Sequence, residues 1–597
     1  MMVSLSVLAI IASMAGNSRP GWIDVPADYP TIQAAIDAAD EGDQIVIAPG
    51  TYNEHDISLR GKAIAIRSTD PLDPAVVEAT VVDGDSIAGV FRISEGEGPR
   101  SSIEGLKIVR GYAANGAGIL CLNVSPTISR CVLERNQANS EGGGGGGIAC
   151  LSSHPLIEEC TLRENIADHG GGIHCESSSP LIRSCTFNEN AGLDNGGGIS
   201  CFTGSAATIA GCEFRNNAAY DKGGGAIYVS ASTPYIVDCV LEEGWADDGG
   251  GIYFTNDANS LVVRSTIQGN SVFDRGGGIA VHSSAPVLLE CDIFANWAFD
   301  FSGGGIDCEE FSQITLRSCR LDRNTAYDHG GGGLYCLKSE AALFNCSISG
   351  NAAGQSGPGV FVDRSVLSLT NCTLEGNSTY GDEGGITTTD SDVSVVNSVL
   401  WGNSPSEVTV KTGAPPSITY SDIAGGWTGT GNIDEDPVFI DEQYHIAAGS
   451  PCRDAGSLNS APTIDFDGDL RPEGGLPDIG FDEWRAGPPC ELKAIISDHP
   501  LETTPGASVG LTVHLDNRCS RTMAADYIVA QVRGALGRDL LISDEIVELG
   551  PWETVDLERP VRVPPGAPIG TYAVALFVYR DEDLIGTDLE MTRVLAP

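Results

Sequence analysis

Basic residues are scarce in this 597-residue chain: 34 Lys and Arg stand against 81 Asp and Glu, a formal charge of −47 at pH 7. That excludes nucleic acid as a natural partner, because phosphate binding draws on clustered Lys and Arg that release counterions. Aromatic residues amount to 6% and charged residues to 19%, which fits neither a coiled coil nor a charge-driven disordered chain. No run reaches 18 consecutive apolar residues, so no membrane span is expected in the mature protein. Cys-x-x-Cys is absent, which argues against thiolate metal clusters. No Gly-Lys-Ser/Thr follows the six glycines at 142–147, so a nucleotide-binding loop is rejected. The apolar run at residues 3–15 lacks a preceding Lys or Arg, yet it ends in Ser13-Met14-Ala15, the small-x-small pattern of a secretory cleavage site. Residues 1–15 are therefore expected to be a signal peptide and the mature protein to be secreted or held at the cell surface.

Glycine is abundant instead, 75 residues, and it is periodic. A Gly-rich turn followed by an aliphatic residue recurs at Ile119, Ile148, Ile173, Ile199, Ile227, Ile252, Ile279, Ile306, Leu334, Val360 and Ile386, at intervals of 25 to 29 residues. A second landmark keeps step 12 or 13 residues later: Cys or Ser, from Cys131 to Ser398, with Asn five residues beyond it. The Asn column runs from Asn136 to Asn403 and lacks only the rung where Gly244 stands. Length variation falls between Asn and the next Gly turn. Between the landmarks the pattern alternates, as in Thr127-Ile128-Ser129, the period-2 mark of short strands with one buried face. The expected fold is all-β, a parallel β-helix solenoid with three short strands per rung and rungs stacked about 4.8 Å apart. Asn in a repeated tight turn reads as a structural ladder.

These residues resemble the right-handed parallel β-helix repeat family of the pectate-lyase-like superfold, over roughly residues 20–485. The pairing of Gly-Gly-Gly-Ile with Phe187-Asn188-Glu189-Asn190 or Phe214-Arg215-Asn216-Asn217 is also similar to the repeats of polymorphic outer-membrane adhesins. Those adhesins end in a membrane β-barrel. Here only 112 residues follow Arg485, too few for a large barrel, so any surface attachment is expected to differ. Near the start, Thr31-Ile32-Gln33-Ala34-Ala35-Ile36 has apolar residues at helical spacing, expected to be an N-terminal capping helix. The following residues 45–54 are similar to the first rung of secreted β-helix proteins, including pectin methylesterases, without their catalytic motifs. Ser450-Pro451-Cys452-Arg453-Asp454 and Pro477-Asp478-Ile479-Gly480 resemble the terminal segment of bacterial extracellular β-helix proteins, which implies a C-terminal cap. Between them Asp465, Asp467 and Asp469 stand at i, i+2 and i+4 around a Gly and offer hard oxygen ligands for Ca²⁺; a turn whose Asp accepts backbone amides is the alternative. After Pro488-Pro489, alternation such as Val509-Leu511-Val513-Leu515 predicts an immunoglobulin-like β-sandwich over 490–597, with Cys490 and Cys519 placed to bridge its edge.

Six rungs carry two Cys, and Val229, Val281 and Val362 replace the first of them in others, so the sites read as small and buried; packed thiols are favoured over disulfides. Function is expected in the variable turn, because loops on a rigid rod carry binding. Just before the Gly turn stands an acidic column, Asp168, Asp194, Asp221, Asp247, Asp274, Asp300, Asp328 and Asp382, with Asp248 beside it. Tyr220, Trp245, Phe273, Trp297, Phe299, Tyr327 and Tyr380 flank it. Stacked unit charges would repel by roughly 1 kcal/mol even in water, so hydration or bound cations must offset them. An Asp that merely starts a Gly turn is the bland reading. The functional one is a strip that binds a polysaccharide or another cell-surface component by ring stacking and hydroxyl hydrogen bonds, with Ca²⁺ as bridge. Asp247 and Asp248 could supply an acid and a base for glycoside cleavage, although a uniform column does not split two pKa values. Asn256-Asp257, Asp247-Asp248 and His169-Gly170 are fragments of polygalacturonase and pectate-lyase motifs, out of order and without a concluding Arg-x-Lys; His174 and His282 read as surface residues. The expectation is an exported, acidic, adhesin-like binding protein, with a polysaccharide lyase or glycoside hydrolase, and a passive spacer, as alternatives.

Overall fold

The computed structural model describes residues 21–485, apart from 140 and 460, and beyond them the strands between 492 and 594 together with Glu553. The expected signal peptide and Cys490 and Cys519 lie outside the described residues. Every repeat folds into the same circuit. In the rung that begins at Ile119 the chain passes through sheet 1 (Ile119–Leu122), sheet 2 (Thr127–Ser129), sheet 3 (Val132–Glu134) and sheet 4 (Gln137–Ala138). Each strand pairs in parallel with its counterpart one repeat away, giving sheets of 14, 16, 15 and 11 strands in that order. The fourth strand per rung was not expected. It follows the Asn column and is only two to five residues long, too short to leave an alternation in the sequence.

Alternation puts one side chain of each pair inside. Ile119, Cys121, Ile128 and Leu133 are fully buried, and their counterparts in later rungs continue one core along the rod. Two corners turn on single left-handed residues: Arg130, Glu159, Asp238 and Glu290 between sheets 2 and 3, and Arg135, Glu164 and Glu243 between sheets 3 and 4. Each left-handed non-glycine residue costs on the order of 1–2 kcal/mol. The residue that follows the corner offsets this. After the first corner a buried Cys packs inward, its thiol donating to a backbone carbonyl, as from Cys131 Sγ to Ser129 O at 3.3 Å. After the second stands the ladder Asn.

Asn136 Nδ2 donates to Asn165 Oδ1 at 3.0 Å and to Ile108 O at 3.1 Å, and its own backbone N–H also reaches Asn165 Oδ1. The motif repeats through Asn190 to Asn217 and, past Gly244, from Asn270 through Asn296, Asn324, Asn351 and Asn377 to Asn403. These amides are buried, and an unsatisfied buried donor is costly, so the column explains its own regularity. The sequence holds four Asn-x-Ser/Thr glycosylation patterns; burial removes Asn345, Asn371 and Asn377 as sites, whereas Asn123 is exposed.

At the start, helix α1 (Ile32–Ala38) buries Ile32, Ala35 and Ile36; Thr31 Oγ1 accepts from Ala34 N, and Glu54 accepts from the N–H groups of Ile32 and Gln33. After the last sheet 3 strand (Asp422–Ile423) the chain runs back along the flank of the rod. Asn345 donates to Ile464 O, Asn371 to Asp478 O and Asn397 to Ser457 O, so three corner residues in successive rungs hold that segment. Farther on, long antiparallel strands pair, among them Ser508–Asn517 with Thr554–Arg562 and Gly570–Arg580 with Asp583–Val594.

All 16 described cysteines are free thiols and buried. Native protein is expected to leave them unreactive toward an aromatic disulfide reagent, and guanidinium to release at least 16 titratable thiols. Asn296→Ala strips two donors of Asn270 of their acceptor, so it should lower unfolding stability by about 2–3 kcal/mol in denaturant titration.

Candidate functional site

The acidic column forms a row along the sheet 4 edge. Asp168, Asp194, Asp247, Asp274 and Asp300 are half-buried there, and Asp221 and Asp328 are exposed. The rungs bring some of these charges together: burial lifts the Asp247 carboxyl, and the charges of Asp274 and Asp221 add to it. The aromatic residues pair across rungs, Tyr220 with Trp245 at 5.8 Å between ring centroids and Phe299 with Tyr327 stacked at 5.4 Å, while Trp297 is half-buried. Asp248 leaves this row. It registers with Gly223 on one side and Arg275 on the other, in the column that adjoins sheet 1.

Sheet 1 has an outer face that the repeat pattern conceals. Its strands read Ile-x-Cys/Val-x, and because Ile and Cys point inward the two x positions point out. Paired register makes two columns of them. One runs Tyr228, Tyr253, Ala280, Asp307, Tyr335, Phe361; the other runs Ser230, Thr255, His282, Glu309, Leu337, Asp363. A strip of rings follows: Phe202 lies 5.0 Å from His169 and 5.3 Å from Tyr228, Tyr228 lies 5.5 Å from Tyr253, Tyr253 lies 5.5 Å from His282, and Tyr335 stacks on Phe361 at 5.2 Å. His174 belongs to this strip and is buried, its pKa lowered to about 4 by loss of solvent. His282 also lies inside the strip, so neither histidine is the surface residue expected. Glycine at 223 is required here, because a Cβ would fall 2.2 Å from the Tyr253 ring.

Ile306–Glu309 interrupts the strip with two carboxylates. Asp307 is fully buried; its Oδ2 accepts from Ser302 Oγ at 2.7 Å, and its Oδ1 has no partner among the described residues. Burial, with the neighbouring Glu309 charge, holds its carboxyl well above the usual range. Glu309 is buried and also raised by loss of solvent, against the pull of Arg275, whose Nη1 lies 3.3 Å from Glu309 Oε2. Burial lifts Asp248 to about 7; Arg275 opposes the shift, and Asp274, Asp247 and Glu309 reinforce it. His282 Nδ1 bonds the Tyr253 hydroxyl at 2.9 Å, and its Nε2, unpartnered among the described residues, lies 3.7 Å from Glu309. Burial keeps this imidazole neutral. The sequence reading found Asp248 and missed Arg275, His282, Asp307 and Glu309. The signal was present one column over: only Ile306–Glu309, among the sheet 1 strands, carries acids at both outward positions.

The other acidic turn is differently occupied. Asp465 is buried and accepts from the backbone of Asp467 and Asp469 with one oxygen and of Glu483 with the other. Asp469 pairs with Arg485, and Asp467 bonds His445 Nε2 at 2.8 Å. His445 Nδ1 bonds Asp441 at 2.6 Å. The two carboxylates raise His445 to about 10, so it is an imidazolium with both nitrogens donating. Ca²⁺ at Asp465, Asp467 and Asp469 would have to displace these partners.

Residues 82–241, 197–363 and 251–433 match the family of right-handed β-helix regions, together more than half of the chain, and the protein belongs to that family. No curated protein matches it. Among solved structures it is similar to the A-module of the mannuronan C-5 epimerase AlgE6 of Azotobacter vinelandii, at 15% identity over 68% of this chain and 95% of that one, with a TM-score of 0.29. It is also similar to a PL6 alginate lyase in complex with a trisaccharide, at 10% identity over 73% of this chain and 92% of that one, with a TM-score of 0.32. A likeness to the sporulation control protein Spo0M of Bacillus subtilis covers 18% of this chain at 15% identity with a TM-score of 0.15, and there the chain spans about half, 49%, of that protein's length. No helix among the described residues is long and apolar enough to cross a membrane.

The His445 triad makes a pH prediction. Because its folded pKa is raised, its stabilisation is fully present below the unfolded value of about 6.5 and is lost as pH rises through about 10. Thermal melts between pH 6 and 10.5 should show wild-type protein losing its advantage over His445→Gln as the pH rises; an unchanged difference would contradict the assignment.

Proposed function

We propose that the protein is an exported glycan-processing β-helix protein that lays a polysaccharide along the outer face of sheet 1 and hydrolyses a glycosidic bond at Asp248 and Glu309. One observation carries this reading: the ring strip is broken at the rung of Ile306–Glu309, where Glu309 meets Arg275 of an earlier rung, and the Glu309 charge adds to the raised pKa of Asp248 one rung farther back. Aromatic faces suit sugar rings, and two carboxyls of different protonation are the means of glycoside cleavage. Asp248, protonated near neutrality, donates to the leaving oxygen. Glu309, raised by burial against the pull of Arg275, serves the opposite role, as nucleophile or as base for water. Asp307 is too buried to touch a glycan and acts behind Glu309 as a positioning residue. The one guanidinium here, Arg275, is already engaged by Glu309 and is not free to hold a uronate, so the substrate is a neutral glycan and the reaction hydrolysis rather than elimination.

The exposed pairs Tyr220 with Trp245 and Phe299 with Tyr327 favour a second reading, adhesion to a polysaccharide without cleavage through the sheet 4 edge. In either reading α1 serves as the N-terminal cap, the antiparallel strands after 490 form an immunoglobulin-like spacer, and the protein works outside the cell.

The test is a panel of neutral and acidic polysaccharides scored for binding, new reducing ends and unsaturated products. Hydrolysis predicts reducing ends without unsaturated absorbance, and a drop of about 10²–10⁴-fold in kcat for Asp248→Asn and Glu309→Gln. The pH profile should show a limb near 7 that moves upward in Arg275→Ala, because Arg275 holds Asp248 down. Binding without products, abolished by Trp245→Ala and Tyr327→Ala, would replace hydrolysis with adhesion.

A further inference from the structure

Two groups of side chains among the described residues have the composition of a metal site, and they differ in one respect. At His445, Asp467 and Asp482 both imidazole nitrogens already donate to carboxylates, so no lone pair is left for an ion. At His282, Asp307 and Glu309, one ligand atom from each lies within 4.8 Å of the other two, and two of the three residues are buried. There the polar atoms are under-used. Asp307 Oδ1 and His282 Nε2 are buried without hydrogen-bond partners among the described residues, and a buried polar atom left unpaired costs about 1–3 kcal/mol. Neither atom is needed for the rungs to stack, since every other sheet 1 strand stacks without such a pair.

We propose that His282, Asp307 and Glu309 bind one divalent first-row transition ion, of the Mn²⁺, Co²⁺ or Zn²⁺ class, on the outer face of sheet 1. The inference rests on the ligand set, which shares Glu309 with the proposed hydrolytic pair, so ion binding and cleavage are read out separately in the test. One imidazole with two carboxylates suits these ions, whereas Ca²⁺ and Mg²⁺ favour all-oxygen shells. The 3.7 Å between His282 Nε2 and Glu309 Oε2 is already close to the separation of two ligands held about 2.0–2.2 Å from one ion. The surroundings are already arranged for it. Tyr253 engages His282 Nδ1 at 2.9 Å, and with Nδ1–H donating to the hydroxyl oxygen, Nε2 presents its lone pair toward Glu309. Ser302 fixes the other oxygen of Asp307. Such outer partners orient metal ligands and sustain affinity. Ala280 stands between Tyr253 and Asp307 in the outward column, placing a methyl where the two preceding rungs have the rings of Tyr228 and Tyr253. Three protein ligands leave further positions open, as in sites where an ion takes water or a substrate hydroxyl. Arg275, 3.3 Å from Glu309, competes for that carboxylate and limits the affinity without occupying His282 or Asp307.

The test is titration of chelator-treated full-length protein with Mn²⁺, Zn²⁺, Co²⁺ and, separately, Ca²⁺, followed by calorimetry, and for Co²⁺ by visible absorption. One equivalent of Zn²⁺ or Co²⁺ is expected. Asp307→Asn and His282→Gln should weaken it at least 100-fold, and Tyr253→Phe about 10-fold to 100-fold. Asp247→Asn, outside the ligand set, should leave it unchanged. Circular dichroism melts confirm that each variant is folded, and bound ion should raise the wild-type Tm but not that of Asp307→Asn. No stoichiometric binding, binding indifferent to both ligand variants, or binding of Ca²⁺ to the exclusion of Zn²⁺ and Co²⁺ would overturn the proposal. The same preparations are assayed on the glycan panel. Cleavage by protein that binds no ion sinks the metal site and leaves the hydrolase, whereas ion binding without cleavage does the reverse.

Discussion

Parallel hydrogen bonding between successive rungs is the constraint on which the molecule depends. Once each strand pairs in register with its counterpart one repeat away, every residue position becomes a column running along the rod, and each column must be made of side chains that tolerate identical neighbours. Aliphatic residues and thiols tolerate it inside. Asn tolerates it at a corner, because its amide both donates and accepts and so bonds to the next copy of itself. Like charges do not, and this decides where acids can stand. They line the half-solvated sheet 4 edge, where water screens them, and they appear on the outer face of sheet 1 as a pair only at Ile306–Glu309.

Much of the fold follows from the sequence for that reason. The Gly turn, the Cys or Ser and the Asn are obligatory, repeat at a nearly fixed interval, and announce their columns directly. What escaped was the fourth strand, where two residues such as Thr325–Ala326 suffice to pair and leave no periodic mark. The flank segment escaped too. Asn345, Asn371 and Asn397 hold it through contacts more than 59 residues distant in sequence, which no local pattern encodes.

The site was half legible. Asp248 stands next to the acidic column, so attention to that column found it, but the partners that change its chemistry come from the following rungs. His282, Asp307 and Glu309 occupy outward positions of sheet 1 strands whose inward residues, Val281 and Cys308, dominate the repeat signature. Looking for repetition discards the positions that do not repeat. In a solenoid the exceptional residue carries the chemistry, and it must be sought as a break in a column rather than as a motif.

Gly244, the one gap in the Asn ladder, has a mechanical meaning. Asn217 ends one series of amides by turning its Nδ2 to Phe187 O and Arg215 O, and the next series begins only at Asn270. The strand that follows the gap is Trp245–Asp248. The amide-to-amide ladder is thus interrupted at one step, where Asn270 accepts from the Gly244 N–H and donates to Leu241 O with no Asn to pass the bond on to Asn217, and Asp248 lies beside that step. The rung of Asp248 is therefore tied forward by the Asn270 amide and backward by the Arg215–Glu242 ion pair, so its two sides are held by different chemistry.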